Sequence, residues 1–189
     1  ACPGSPSEDA ADVQLARRSL FTEPCTDHEA SRPDARAETV AKRPRAADTR
    51  TTLMMRNLPN DYTREMLLQM LGDEGFGVAY DFVYLPIDFS RGCNLGYAFV
   101  NLVDAAYIPS FRATFDGYST WGLRSSKVCR VTWSARDQGL RANVRRYRNS
   151  PVMHSSVPDS YKPCLFSDGV RVKFPAPHGQ VQRPSRRRE

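Results

Sequence analysis

Leu95-Gly96-Tyr97-Ala98-Phe99-Val100-Asn101-Leu102 is the stretch that decides the fold. Its composition is that of a strand, and successive side chains of a strand point to opposite faces. Ala98, Val100 and Leu102 then share one face, small and aliphatic, suited to burial under helices. Tyr97 and Phe99 share the other, as two aromatic rings two positions apart. Gly96, just before them, lets another backbone approach closely. A strand with an aliphatic face and an aromatic face predicts a sheet covered on one side only.

The flanking sequence supplies the other elements. Upstream, Leu53-Met54-Met55 followed by Asn57-Leu58-Pro59-Asn60 reads as a strand ending in a turn. Thr63 can cap a helix with Glu65 in its first turn and Met66, Leu67, Met70 and Leu71 as its apolar face. Gly72, Gly75 and Gly77 end it. Tyr80 to Leu85 is a second strand, stopped by Pro86, and a polar loop through Asp88, Ser90, Arg91 and Gly92 leads into the deciding stretch. Downstream, Asp104 opens a second helical stretch with Ile108, Phe111 and Phe115 three and four apart, Pro109 being tolerable in its first turn. Asp116-Gly117 turns the chain into a fourth strand, Lys127 to Trp133, with Trp133 in phase with Cys129 and Val131 on the core side. The order β-α-β-β-α-β predicts an α+β, ferredoxin-like split β-α-β fold, with two helices on one face of a four-stranded sheet.

The chain has 189 residues, and 27 Lys plus Arg against 21 Asp plus Glu give it a net charge of +6. Residues 1–50 and 51–133 are each net −1, whereas residues 134–189 hold twelve basic and four acidic residues. All the excess positive charge therefore lies in the last third. No window approaches the roughly 20 apolar residues of a membrane span, and nothing reads as a secretory signal. The five cysteines, Cys2, Cys25, Cys93, Cys129 and Cys164, form no C-x-x-C pair and the three histidines lie far from one another, so reduced thiols and no metal site are expected. Together these predict an intracellular protein, in the nucleus, the cytoplasm or both. Residues 1–50, rich in Ala, Pro, Ser and mixed charge, are expected to be disordered. Within them Lys42-Arg43-Pro44-Arg45 reads as a solvated linker or a short import signal.

After the fourth strand, Leu140, Val144 and Tyr147 fall on one helical stripe and Arg141, Arg145 and Arg148 on a second. Asn149 and Pro151 stop this helix. Its apolar stripe needs a surface, and the uncovered sheet is the nearest. The domain boundaries expected are 51–135 for the sheet-and-helix unit, 136–175 for a helix and extension packing on or beside it, and 176–189 for a basic disordered tail. Cutting after Ala135 is expected to leave the fold intact.

The deciding stretch matches most of the K/R-G-F/Y-G/A-F-V-x-F/Y octapeptide of RNA recognition motifs. Several further runs resemble the C-terminal RNA recognition motif of the Mei-two-like meiosis regulators. They are Thr51-Thr52-Leu53-Met54, Tyr80-Asp81-Phe82-Val83-Tyr84-Leu85-Pro86-Ile87-Asp88-Phe89 and Cys93-Asn94-Leu95-Gly96-Tyr97-Ala98-Phe99-Val100-Asn101. The likeness continues through Trp121, Lys127-Val128-Cys129, Gln138-Gly139-Leu140 and Arg148-Asn149-Ser150. It implies non-catalytic binding of single-stranded RNA in post-transcriptional regulation.

On that reading bases stack on Tyr97 and Phe99, with Met54, Phe82 and Tyr84 beside them, and Arg56, Arg130, Arg141, Arg145 and Arg148 hold phosphates. Two departures weaken the pattern: Leu95 replaces the usual basic first residue, and Met54 stands where a stacking aromatic is usual. The alternative is a protein-interaction module whose sheet is masked by the C-terminal helix and which binds a peptide partner. No cofactor, membrane or small-molecule substrate is expected, and no catalytic motif is present.

Overall fold

A computed structural model of the protein describes residues 48–184. The Lys42 to Arg45 run, Cys2, Cys25, Arg186 to Arg188 and most of the segment expected to be disordered lie outside the described residues.

Strand β1 (Thr52–Arg56) is followed by helix α1 (Arg64–Asp73), strands β2 (Tyr80–Tyr84) and β3 (Tyr97–Leu102), helix α2 (Ile108–Phe115) and strand β4 (Arg130–Trp133). This is the β-α-β-β-α-β order. Thr63 caps α1, its hydroxyl accepting from the Met66 amide at 3.2 Å, and Pro109 occupies the first turn of α2. Leu67, Met70 and Leu71 of α1 and Ile108, Phe111 and Phe115 of α2 pack on Leu53, Met55, Val83, Ala98, Val100, Leu102 and Val131. One face of the sheet is thereby buried. Trp133 is half-buried against this core, its ring between the Arg50 and Arg112 guanidiniums at 4.2 and 4.8 Å.

A buried asparagine fixes the loops around the deciding strand. Asn94 donates to the carbonyls of Pro59, Asn60 and Tyr62 at 2.7–2.9 Å and accepts from the Gly96 amide at 2.7 Å. Its side chain ties the β1–α1 connection to the start of β3.

The sheet has six strands, not four. Helix α3 (Leu140–Arg148) follows β4, then strands β5 (Cys164–Ser167) and β6 (Val170–Val172), giving the antiparallel order β4-β1-β3-β2-β5-β6. Asp168-Gly169, at φ +50° and +76°, makes the two-residue turn between β5 and β6. Cys164 and Phe166 join the principal core, where Phe166 meets Tyr80 edge-on at 5.0 Å. Asp159 clasps the extension to α1, its carboxylate meeting Arg64 at 3.0 Å and Arg171 at 2.8 Å.

Cutting after Ala135 would remove the strand beside β2 and, with it, Cys164 and Phe166 of the core. Near the expected boundary at 176, the Ala176 carbonyl accepts from Arg148 Nε, and the His178 amide donates to Asn149 Oδ1 at 2.9 Å.

Candidate nucleic-acid interface

Strand register arranges the sheet face opposite α1 and α2 into three transverse rows. Arg130, Arg56 and Tyr97 form the first. Thr132, Met54, Phe99 and Tyr84 form the second, and Thr52, Asn101, Phe82 and Leu165 the third. A bulge at Asp81 puts Tyr80 in the core and Phe82 on the outer face.

Helix α3 lies over the third row, and its anchor is polar. Thr52 Oγ1 accepts from the Gly139 amide at 2.8 Å and from Asn143 Nδ2 at 3.1 Å, and donates to Asn101 Oδ1 at 2.7 Å. Gln138 continues the ladder beyond β4. Its Oε1 accepts from the Thr51 and Thr52 amides at 3.1 and 2.9 Å, and its Nε2 donates to the Thr52 and Ser134 carbonyls at 2.9 and 2.8 Å. Gly139 stands at φ +83°, where a side chain would strain the backbone, so Gln138-Gly139 is the junction that turns the chain onto the sheet.

At the other end of the helix, Tyr147 stacks on Phe82 with centroids 5.6 Å apart and planes at 21°, and meets Tyr84 at 4.7 Å. Phe82 is 0% exposed. It is therefore a packing residue under α3, a correction to its assignment as a stacking platform: alternation gives the face of a residue and not what covers it. Burial pushes the Tyr147 hydroxyl up to about 12 and raises that of Tyr84 as well, so both are neutral donors near neutral pH.

The first two rows are open except at Tyr84, which Tyr147 partly covers. Tyr97 and Phe99 are half-buried, edge to face at 5.7 Å, with Met54 beside them and Arg56 and Arg130 exposed at the margin. Arg56 Nε approaches Met54 Sδ at 3.3 Å. A cleft of about 470 Å³ borders these rows and α3, lined by Met54, Pro86, Ile87, Leu95, Tyr97 and Phe99 together with Arg136, Asp137, Asn143, Arg146 and Tyr147.

The arginines of α3 are placed differently from expectation. Arg141 and Arg145 are exposed and do not line the cleft, and Arg148 is tied to the Ala176 carbonyl. The guanidiniums at the cleft are those of Arg136, ahead of the helix, and Arg146, beside Asp137. The expected docking stripe of Leu140, Val144 and Tyr147 implied another rotation, since it left out Asn143, the buried residue of the helix. Asn143, Arg146 and Ser150 share helical spacing, but only a helix known to dock through an amide would have singled them out.

Among the described residues no group of three or more His, Cys, Asp or Glu side chains is placed to hold a metal ion. No helix among them is long and apolar enough to cross a membrane. The described cysteines Cys93, Cys129 and Cys164 are free thiols.

The model of the family described as RNA recognition motif 2 matches residues 50–148. Protein MEI2-like 2 of Oryza sativa subsp. japonica is 39% identical over 146 residues, 71% of this chain and 17% of that protein. Protein MEI2-like 3 of Arabidopsis thaliana is 40% identical over 136 residues, 72% of this chain and 17% of that protein. The chain thus spans 17% of the length of each of these relatives. Among solved structures, the RNA recognition motif of Rna15 with bound RNA (GU) aligns with a TM-score of 0.38 and 21% identity, covering 44% of this chain and 82% of that one.

Proposed function

The chain belongs to the RNA recognition motif 2 family, the Mei-two-like branch of the RNA recognition motif, and from that premise we propose that it is a non-catalytic single-stranded RNA-binding module of post-transcriptional regulation. The observation that carries this reading is the pair of open rows. Two half-exposed rings and a thioether offer flat, apolar contact to unstacked bases, and two exposed arginines at the margin offer charge to the phosphates between them.

The roles are these. Tyr97 and Phe99 stack on bases, with Met54 and Tyr84 beside them. Arg56 and Arg130 pair with phosphates, and Arg141 and Arg145, exposed on the helix, add long-range attraction. The covered third row limits the platform to Tyr97, Phe99 and their neighbours, so few bases stack at once.

The test is the double variant Tyr97→Ala, Phe99→Ala in the full chain, titrated against a fluorescent pool of short RNAs at moderate salt. Stacking on two rings predicts a loss of about 2–6 kcal/mol in binding, measured at a temperature where the variant is still folded by circular dichroism. Unaltered affinity would remove the sheet face from the mechanism. A peptide-binding reading is favoured by one observation, the seating of α3 on the sheet over Phe82. It predicts no saturable RNA binding in the same titration.

A further inference from the structure

The cleft beside α3 holds a charge arrangement that phosphate binding does not use. Asp137 Oδ2 lies 3.9 Å from Arg146 Nε, beyond hydrogen-bond range, and among the described residues neither side chain has a hydrogen-bond partner. Asp137 is 30% exposed and Arg146 56% exposed. Both border the same cleft as Phe99, Met54 and Tyr97. An acceptor with two oxygens and a forked donor therefore stand side by side against an aromatic surface.

The carboxylate decides what can enter. The cleft lining sets this one carboxylate among two guanidiniums, Arg136 and Arg146, so a phosphate meets repulsion and attraction together, whereas a group carrying both donors and acceptors can use both. A group that enters must bring N–H donors to Asp137, and a base edge does so. Adenine offers its N6 amino group, cytosine its N4 amino group and uracil its N3–H. Guanine alone has two adjacent donors, N1–H and the N2 amino group, matched to the two oxygens of one carboxylate. Its O6 and N7 are also the acceptors that a guanidinium forks onto.

We infer that this cleft is a guanine-reading pocket, with Asp137 accepting from N1–H and N2–H, Arg146 donating to O6, and the purine lying against Phe99. The inference deepens the RNA-binding reading and rests on it. It makes Asp137 and Arg146 specificity-determining residues, separate from the platform that supplies general affinity. Loss of Asp137 is then expected to level the discrimination between bases rather than abolish binding, because the displaced repulsion admits other bases more readily.

The experiment uses the full chain and four uridine octamers that differ at one central position: guanosine, adenosine, cytidine or uridine. The guanosine octamer is expected to bind about tenfold tighter than the other three, the scale of one good bidentate base contact. Replacing the central guanosine by inosine, which lacks the N2 amino group, removes most of that preference. Asp137→Asn and Arg146→Gln each bring the four affinities within about twofold of one another, with the melting temperature unchanged. Equal binding of all four octamers by the unsubstituted chain overturns the inference and leaves RNA binding standing. So does a guanosine preference that survives both substitutions. Failure of every octamer to bind overturns the RNA-binding reading and this inference with it.

Discussion

Replacing Tyr147 with alanine tests whether α3 is seated on the sheet as an integral layer. The ring makes two aromatic contacts, stacked on Phe82 at 5.6 Å and tilted against Tyr84 at 4.7 Å. Such pairs contribute about 0.5–1.5 kcal/mol each beyond the area they bury. Truncating a fully buried aromatic costs about 3–5 kcal/mol, and Tyr147 is half-buried, so the expected loss is about 2–3 kcal/mol. The assay is urea unfolding of the full chain followed by far-UV circular dichroism. With a slope of about 1.5 kcal/mol/M, the midpoint should fall by about 1.3–2 M. Arg145→Ala, an exposed neighbour on the same helix, is the control and should stay within about 0.5 kcal/mol. A midpoint shift below about 0.3 M for Tyr147→Ala would refute the docking argument, because it would mean that uncovering Phe82 costs nothing.

Other consequences can be measured. Neutralising Arg56 and Arg130 together to glutamine should reduce the slope of log affinity against log salt by about 1.4, at about 0.7 per phosphate contact on a single strand, and an unchanged slope removes them from the interface. Arg171 first and Arg64 second hold the Asp159 carboxyl down at about 2, below its ordinary value. A lowered folded value adds stability that is present above about pH 4 and lost as pH falls towards about 2, so Asp159→Asn should lose less stability over that window than the unsubstituted chain. The effect is small because Asp159 is 63% exposed, and equal acid sensitivity of both proteins would contradict it. Burial pushes the Cys129 thiol up to about 12, and Cys164 is also buried, whereas Cys93 is half-exposed. Of these three, iodoacetamide should label Cys93 first and the other two only in urea, as peptide mass mapping would show.

The four-stranded unit was legible because its two periodicities are clean. Ala98, Val100 and Leu102 alternate with Tyr97 and Phe99, and Ile108, Phe111 and Phe115 keep helical spacing. Cys164-Leu165-Phe166-Ser167 and Val170-Arg171-Val172, with Asp168-Gly169 between them, are legible as extended segments, but their pairing into the sheet as β5 and β6 is not. Placement of β5 beside β2 joins segments far apart in the chain, and no local pattern encodes such a pairing. The interface was legible in part. Alternation placed Met54, Arg56, Tyr97, Phe99 and Arg130 on one face, and register then set Arg56 opposite Arg130. The covering of Phe82 and the role of Arg146 both follow from how α3 is rotated. That rotation is fixed by the Asn143 amide on Thr52, and hydrophobic periodicity is blind to an anchor that is polar.

The late position of β5 also has a consequence for the order in which the protein is made. Leu165, which pairs with Phe82, follows it in the chain by roughly 80 residues, and at a synthesis rate of about 5–20 residues per second it emerges about 4–16 s later. For that interval the nascent domain presents β2 as an unpaired edge, the kind of strand that recruits other chains, and Phe82 on it stays bare until Tyr147 emerges. Ribosome-bound fragments ending between Trp133 and Cys164 should therefore be the aggregation-prone stage of its biogenesis, and release from that hazard comes only when the extension closes over the sheet.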